Sequence, residues 1–445
     1  MNVLLCPLSD GGYLYPAIAV GRALRGRGHH VSVLARAGAA PVAAEAGLPF
    51  AAAEEFGGRR AFSATWWGRT GLDQYRATLR AARQARADLL VTSVLCNGAL
   101  LAAETLDIPV VVIGLAAHLW DYRSGGAGEP SWGRTRENRT AVSLDLYRSV
   151  REQAGLPPRT APRPDDPRHG HPQLGHTVSD NPLLGDALLL RGAPELEHPG
   201  AELPQRVHHV GPLAWEPAAD PAETDAIRAH TERHGKPVVY VHLGRFFGGR
   251  DPWPQLNETF TGGPLQAVVE QGRSTDPRPA AGADILLVRK PWMGPLVDMA
   301  ELVLTSGTSA PVLGALLRGR PLAVSPNGSE QPLLSWACLR AGVAVHLPKA
   351  PAPSQDVRSA AAGPAALLTS ALRDERLRDR AAALGRRLAA AGGPARAADV
   401  VEQLVQPSAT PRENHEYAIS RPGPRGRGAG LDGRAAVDTA ALGIS

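Results

Sequence analysis

Lysine is nearly absent from this 445-residue chain: Lys236, Lys290 and Lys349 are the only ones, and arginine carries the remaining positive charge. The net charge of +5 is small for the length. The arginines are dispersed, and no basic stripe interleaved with aromatics marks a nucleic-acid surface. Together with abundant alanine, glycine and proline, this usage points to a GC-rich genome. Cysteine is scarce as well. Cys6, Cys96 and Cys338 stand far apart in apolar runs, which reads as three small buried hydrophobes and not as a disulfide framework or a metal site. No apolar run approaches the ~20 residues of a membrane span. The opening "MNVLLCPLS" has no basic n-region and is too short for a signal h-region, so a cytoplasmic location is expected.

What is present is a soluble composition, 43% hydrophobic and 20% charged, on a chain too long for one ordinary core. The first half alternates strands and helices. "NVLLCPL" reads as a buried strand, Pro16 to Arg25 as a helix, and "HHVSVLA" and "LPFAA" as strands. A basic amphipathic helix over Asp73 to Ala87 precedes the strand "DLLVTSV", a helix over Gly98 to Leu106 and the strand "IPVVVIG". Pro157 to Pro182 has no period and reads as a surface loop. After "RVHHVGPLAWEP" the alternation restarts: "KPVVYVHLG", "ADILLVRK" and "AELVLTSG" are strands, then come a helix near Val312 to Arg318, the strand "RPLAVSP", a helix near Gln331 to Ala341 and "VAVHLP". Two α/β halves joined by a linker at Leu213 to Pro221 predict two doubly wound domains facing across a cleft, with ligands at the carboxyl ends of the strands. Residues 351 to 363 form a Pro/Ala loop, and Ala365 to Leu404 is helical with a Gly-Gly-Pro break at 392 to 394. From Pro407 onward the chain is polar and Arg/Gly/Pro-rich, and is expected to be disordered.

Three stretches carry chemistry. In "SDGGYLYP", Gly11 and Gly12 allow close approach of a ligand, and Pro16 suits a first helical turn, although many strand-to-helix turns carry glycines. In "LVLTSGTSAPVLGALLRGRPLAVSP", Ser306, Gly307, Thr308 and Ser309 lead from a buried strand into a helix. Backbone N–H groups beside three hydroxyls make a diphosphate cradle there, and an ordinary helix cap would use the same residue types. In "NGSEQPL", Glu330 and Gln331 pair a carboxylate with an amide, which can together grip vicinal hydroxyls such as a sugar presents, although by themselves they are ordinary polar loop residues.

In order and spacing these stretches resemble the two-domain GT-B nucleotide-sugar glycosyltransferases of family 1, the group that includes the macrolide and other antibiotic glycosyltransferases. The likeness covers Met1 to Leu404. "GYLYP" (Gly12 to Pro16) follows the family's G-H-x-x-P except at the histidine. "RGHHVSVLA" follows R-G-H-x-V, and "HHVGPL" follows V-G-P. "MAELVLTSGTSAPVLGALLRGRPLAVSPNGSEQPLLSWACLRAGVAV" aligns without a gap to A-D-L-x-x-T-H-G-G-x-G-T and onward through an Asp-Gln pair. The resemblance implies an N-terminal acceptor-binding domain over 1–215 and a C-terminal nucleotide-sugar-binding domain over 222–405, whose final helix packs back on the first domain, then a tail over 406–445. It implies a donor site of Gly12, Arg245, Trp292, Ser306, Gly307, Thr308, Ser309, Glu330 and Gln331. Trp292 is placed at the family's base-stacking tryptophan, and Arg245 offers charge to the diphosphate. The partners it implies are a UDP- or dTDP-sugar and a small aromatic or polyketide-like acceptor of antibiotic biosynthesis. No cofactor or metal is expected, nor any nucleic acid or membrane insertion, and the chain is expected to be a monomer or homodimer.

Two positions depart from the family pattern. Ser306 replaces a phosphate-binding histidine and keeps a donor. Tyr13 stands where inverting transfer needs a base to take the acceptor proton. Histidine, with a pKa near ~6.5, suits that task, whereas tyrosine near ~10 is mostly protonated. Three accounts follow. Asp10, His118 or Asp121 replaces the missing base, with Tyr13 itself a further catalytic candidate; or the acceptor is a nucleophile needing little base help; or the chain is a non-catalytic auxiliary of the same fold. A different GT-B enzyme, such as a lipid-acceptor glycosyltransferase or a nucleotide-sugar epimerase, is the remaining alternative, although no basic-apolar patch marks membrane attachment.

Overall fold

The computed structural model describes residues 1–53, 64–114, 133–158, 181–197, 203–243, 251–271, 278–326, 331–348 and 363–405, with side chains of 64–69 and 133–142 left aside. His118, Asp121, Arg245 and Glu330 lie outside the described residues, as do the Pro/Ala loop, the tail and most of Pro157 to Pro182.

Two parallel sheets organise the chain. The first contains β1 (Asn2–Leu5), β2 (His30–Arg36), β3 (Phe50–Ala53), β4 (Leu89–Ser93), β5 (Val110–Gly114), β6 (Ala187–Leu190) and β7 (Val207–His209), ordered β3-β2-β1-β4-β5-β6-β7. The second contains β8 (Val238–His242), β9 (Gln266–Glu270), β10 (Ile285–Val288), β11 (Leu302–Thr305), β12 (Leu322–Val324) and β13 (Ala344–His346), ordered β10-β9-β8-β11-β12-β13. These strands are near-continuous apolar runs because both faces of each sheet are covered. On the first sheet Val3 and Leu5 face one core with Ile18 and Val33, while Leu4 faces the other with Leu90 and Leu101. The second sheet repeats this, with Val303 on one face and Leu302 and Leu304 on the other.

Five helices accompany the first sheet: α1 (Gly11–Gly26), α2 (Ala40–Glu45), α3 (Ala64–Ala85), α4 (Asn97–Leu106) and α5 (Gly133–Gln153). The rest are α6 (Pro221–His234), α7 (Trp253–Phe260), α8 (Gly294–Met299), α9 (Ser309–Leu317), α10 (Gln331–Arg340), α11 (Pro364–Arg373), α12 (Glu375–Ala390) and α13 (Gly393–Val405). Asp220 caps α6 by accepting the Ala222 N–H at 2.9 Å, so the linker ends where a capping carboxylate meets Pro221. Asp374 likewise breaks the C-terminal helical run, accepting the Leu377 N–H at the start of α12.

The strand of chain that follows α12 returns to the first sheet. Ala397, Ala398, Val400 and Val401 of α13 are buried in the same core as Leu14, Ile18 and Leu24 of α1. Outside that seam, Arg27 reaches Asp399 at 2.8 Å and Glu402 at 2.7 Å, and His29 meets Glu402 at 2.8 Å.

Helix α1 differs from its expected extent: it begins at Gly11 and carries Pro16 internally. A proline at that position has no N–H to give the carbonyl four residues earlier, Gly12. That carbonyl instead accepts Nη1 of Arg191 at 3.1 Å, so the helix tolerates the proline. Helix α3 likewise starts earlier than the apolar period suggests, at Ala64. All three cysteines are buried and free. Among the described residues no helix is long and apolar enough to cross a membrane.

Candidate functional site

Both sheets change direction next to a central strand: β1 lies between β2 and β4, and β8 between β9 and β11. Crevices open off the carboxyl ends of strands at such points. The helices that follow, α1 after β1 and α9 after β11, bring their N-termini to one cavity of about 400 Å3 between the two halves. Gly11, Gly12, Tyr15 and Pro16 form its wall on one side. On the other stand Tyr240, His242, Glu270, Trp292, Ala310 and Gly314.

The turn Ser306–Ser309 immediately precedes Ala310, which lines this cavity. Its backbone is held by Gly307, whose φ of +86° a side chain rarely adopts and where a Cβ would come within 2.7 Å of the Gln331 carbonyl. The Gly307 N–H donates to Thr305 Oγ1 at 3.2 Å. Ser306 is fully buried. Among the described residues, the Oγ of Ser306 and the Oγ1 of Thr308 are buried without a hydrogen-bond partner, a costly arrangement unless a ligand completes it. Thr308 occupies the cap position of α9 in extended conformation, yet its side chain does not close the cap. Gln331 is buried at the start of α10, directly behind the turn.

Charge around the cavity is mixed. Lys290 pairs with Glu223 at 2.6 Å and lies 6.0 Å from the ring centroid of Trp292. The Glu216 carboxylate accepts the N–H groups of Met293 and Gly294, both at 2.8 Å, and so caps α8. Glu270 ends β9 one step beyond the Val241–Val269 pairing. Burial pushes its carboxyl up to about 7, against the opposing pull of the Lys290 N–H and the Arg289 charge. Burial also pushes the His242 imidazole below its ordinary range.

The candidate catalytic positions separate. Asp10 ends the loop before α1, its carboxylate 3.6 Å from Arg36. Both residues border a second, small cavity of about 50 Å3 at the carboxyl ends of β1 and β2, together with Gln74 and Thr78. Tyr13 is half-buried and packs against the core that holds Leu4, Tyr75 and Leu90. The neighbouring Tyr15 turns to the large cavity, where its ring meets that of Trp215 edge-on at 5.4 Å. Trp292 borders the large cavity but is only 3% exposed, because it packs with Leu296 and Leu313 in the core of the second half.

With this arrangement in view, comparison with known proteins is informative. No protein-family model matches the chain. It is 26% identical to 4'-demethylrebeccamycin synthase of Lentzea aerocolonigenes, over 91% of this chain and 99% of that protein. The fold matches the glycosyltransferase of kitacinnamycin with a TM-score of 0.67, at 19% identity over 91% of this chain and 98% of that one. It also matches CalG4, the calicheamicin glycosyltransferase, with a TM-score of 0.63, at 20% identity over 92% and 99%. The chain has the GT-B fold of these glycosyltransferases.

The structure places Gly12 and Trp292 on the wall of one cleft, and the Ser306–Ser309 turn, with Gln331 behind it, next to Ala310 on that wall. Asp10 sits at the smaller cavity next door. Sequence reasoning passed over Tyr15, Arg191, Trp215, His242 and Glu270. Three of these share a signal: Arg191 directly follows the last apolar residue of β6, and His242 and Glu270 are the last residues of β8 and β9. A polar residue at the carboxyl end of a buried parallel strand points to the ligand edge of the sheet. Tyr15 and Trp215 carry no such mark, since an aromatic beside a proline reads equally as core.

Proposed function

We propose that this protein is a glycosyltransferase that moves a sugar from a nucleoside diphosphate sugar to a small natural-product acceptor, with inversion at the anomeric carbon. The carrying observation is the pair of buried, unpartnered hydroxyls of Ser306 and Thr308 at the N-terminus of α9, just before Ala310, which lines a cleft of about 400 Å3. A phosphate supplies the acceptor oxygens those hydroxyls lack, and a helix N-terminus favours its charge. VinC, solved in complex with dTDP, shares the fold with a TM-score of 0.59 at 15% identity, which supports dTDP as the first donor nucleotide to try. The name of the rebeccamycin relative supports an acceptor of the natural-product kind.

In this reading the acceptor hydroxyl gives its proton to a base as its oxygen attacks the anomeric carbon. The bond from that carbon to the diphosphate oxygen breaks on the opposite face, and the leaving diphosphate gains charge at the N-terminus of α9. No metal is required, because the hydroxyls, the turn and the helix end receive that charge. Of the described candidates Asp10 is the one proposed as the base, since it borders the small cavity beside the cleft whereas Tyr13 packs against the core; His118 and Asp121 lie outside the described residues. The test is turnover of a panel of dTDP- and UDP-sugars with polycyclic and macrolide aglycones, read by mass spectrometry. A glycoside from at least one pair is expected. Tight aglycone binding with no product from any donor would leave the non-catalytic auxiliary as the correct account.

A further inference from the structure

His242 and Glu270 end neighbouring strands of the second sheet. β8 and β9 run in register through Val241 and Val269, so the next residues, His242 and Glu270, stand side by side on the face that carries Tyr240 and Val268. Both border the large cavity, as does Trp292, which follows β10 on the far side of β9. The Ser306–Ser309 turn follows β11, and the sheet order β9-β8-β11 separates it from Glu270 by two strand spacings, about 10 Å. That is the reach of a nucleoside from its base to its diphosphate. A diphosphate at the N-terminus of α9 therefore leaves the nucleobase beside the end of β9. The Glu270 and Glu216 carboxyls both lie near the Tyr240 hydroxyl there, an acidic surrounding that opposes a phosphate and suits a neutral ring.

A carboxyl that keeps its proton presents a carbonyl acceptor beside an O–H donor. The imide edge of uracil or thymine presents an N–H donor beside a carbonyl acceptor, so the two fit through a reciprocal pair of hydrogen bonds. An ionised carboxyl offers acceptors only and meets the imide carbonyl with like charge. The surroundings of Glu270 hold the proton on: burial pushes the group up to about 7. From β8 come Tyr240 and His242. Burial pushes the phenol above its ordinary range and the imidazole below, so neither brings a charge to Glu270. After β10, Arg289 pulls the other way, while the Lys290 side chain is taken by Glu223 at 2.6 Å. The Lys290 backbone N–H donates to the Glu270 carboxyl and anchors it.

We propose that Glu270 reads the nucleobase of the donor: its carboxyl pairs with the imide edge of a uracil or thymine while the diphosphate lies at the start of α9. This rests on the donor reading above. Calorimetric titration of wild type, E270Q and E270A with dTDP and with its N3-methyl analogue, at pH 6 and pH 8, tests it. The methyl group removes the imide N–H and leaves the diphosphate unchanged. Titration of the diphosphate and any general loosening of the site act on both ligands alike and cancel in the ratio of affinities. At pH 6 wild type is expected to prefer dTDP by about tenfold or more, the scale of two hydrogen bonds. At pH 8, as the carboxyl ionises, that preference is expected to fall by at least threefold. E270Q, whose amide keeps an acceptor beside a donor, should hold the preference at both pH values, and E270A should lose it at both. If E270A does not reproduce the wild-type thermal transition, E270Q decides: a preference at pH 8 at least threefold above wild type supports the proposal, and one that follows wild type at both pH values overturns it. Equal wild-type affinities for the two ligands at pH 6, a wild-type preference unchanged at pH 8, or an undiminished preference in folded E270A also overturns it, while leaving the donor reading intact. Failure of wild type to bind either dTDP or UDP overturns the donor reading and this proposal with it.

Discussion

Glu270 offers a stability test that needs no substrate. Its carboxyl is pushed from an ordinary 4.5 to about 7 by burial at the cleft edge of β9. Below pH 4.5 the group is protonated in the folded and unfolded chains alike, and burial costs nothing through charge. Between pH 4.5 and 7 the unfolded chain releases the proton while the folded chain holds it, so the folded state binds more protons and stability falls as pH rises. Above pH 7 both states are ionised and the whole penalty is present. At about 1.4 kcal/mol per pH unit, a rise from 4.5 to about 7 corresponds to an upper bound of about 3.5 kcal/mol.

Glutamine has the shape of the protonated carboxyl and cannot ionise. E270Q should therefore match wild type near pH 4.5 and exceed it by roughly 1–3 kcal/mol at pH 8, the lower figure applying where cleft water softens the penalty. Urea unfolding of both proteins at half-unit steps from pH 4.5 to 8, followed by tryptophan fluorescence, reads the difference directly. In a thermal scan the same gap at pH 8 amounts to several degrees. The variant and wild-type stability curves must diverge through pH 4.5–7. Parallel curves across that window would show that Glu270 is well solvated and would refute the reasoning.

Other consequences can be measured alongside. G307A forces an L-residue to φ +86° and drives a Cβ to 2.7 Å from the Gln331 carbonyl; about 1–3 kcal/mol of strain is expected in the melting curve, with dTDP affinity down by about tenfold or more in calorimetry. Y13F should leave kcat/KM within about threefold, because the ring packs in the core and not on the cleft, while D10N should lower it by ~10²–10⁴, the range for a lost general base. Steady-state kinetics on the active donor–acceptor pair separates the two, and a large Y13F loss would move the base to Tyr13. V401A opens a hole in the seam between α13 and α1, where Val401 is fully buried, and should cost about 2 kcal/mol in chemical denaturation. R27A removes half-exposed ion pairs in the same seam and should cost no more than about 1 kcal/mol.

The strands of both sheets could be read in the sequence because buried parallel strands are unbroken apolar runs, and "NVLL", "LLVTS", "VVVIG" and "LVLT" need no context to be recognised. The Ser306–Ser309 turn is equally plain, since its glycine and hydroxyls occupy consecutive positions between one such run and a helix. Helix starts were less legible. Pro16 marks a first turn by propensity, yet here a tertiary hydrogen bond from Arg191 lets α1 begin at Gly11. Propensity reports on neighbours in the chain, and the group that overrides it lies 179 positions away. The same limit hid the cleft. Gly12, Arg191 and Ser309 come from three unrelated stretches, and only the folding of two sheets against each other makes them one site. Tyr13 shows the converse. Its sequence position invites a catalytic reading, but along a helix the residues on either side of it, Gly12 and Leu14, face different surroundings, and Tyr13 faces the core.

The two halves are joined twice, and the two junctions are one structure. The first crossing leaves β7 through Val210, Gly211 and Pro212; the second passes from α12 to α13 through Ala391 and Gly393. The Gly393 N–H donates to the Val210 carbonyl at 2.7 Å, tying one crossing to the other. Gly211, at φ +79°, has Ala391 so close that a Cβ would stand 2.7 Å from the alanine methyl and 2.9 Å from the Leu388 carbonyl. Val210 and Leu213 are buried in the first half's core beside Val400 and Val401, so the knot is anchored on that side. Two separate tethers would let the halves slide as well as turn. Two crossings bonded to each other and anchored in one core restrict that freedom.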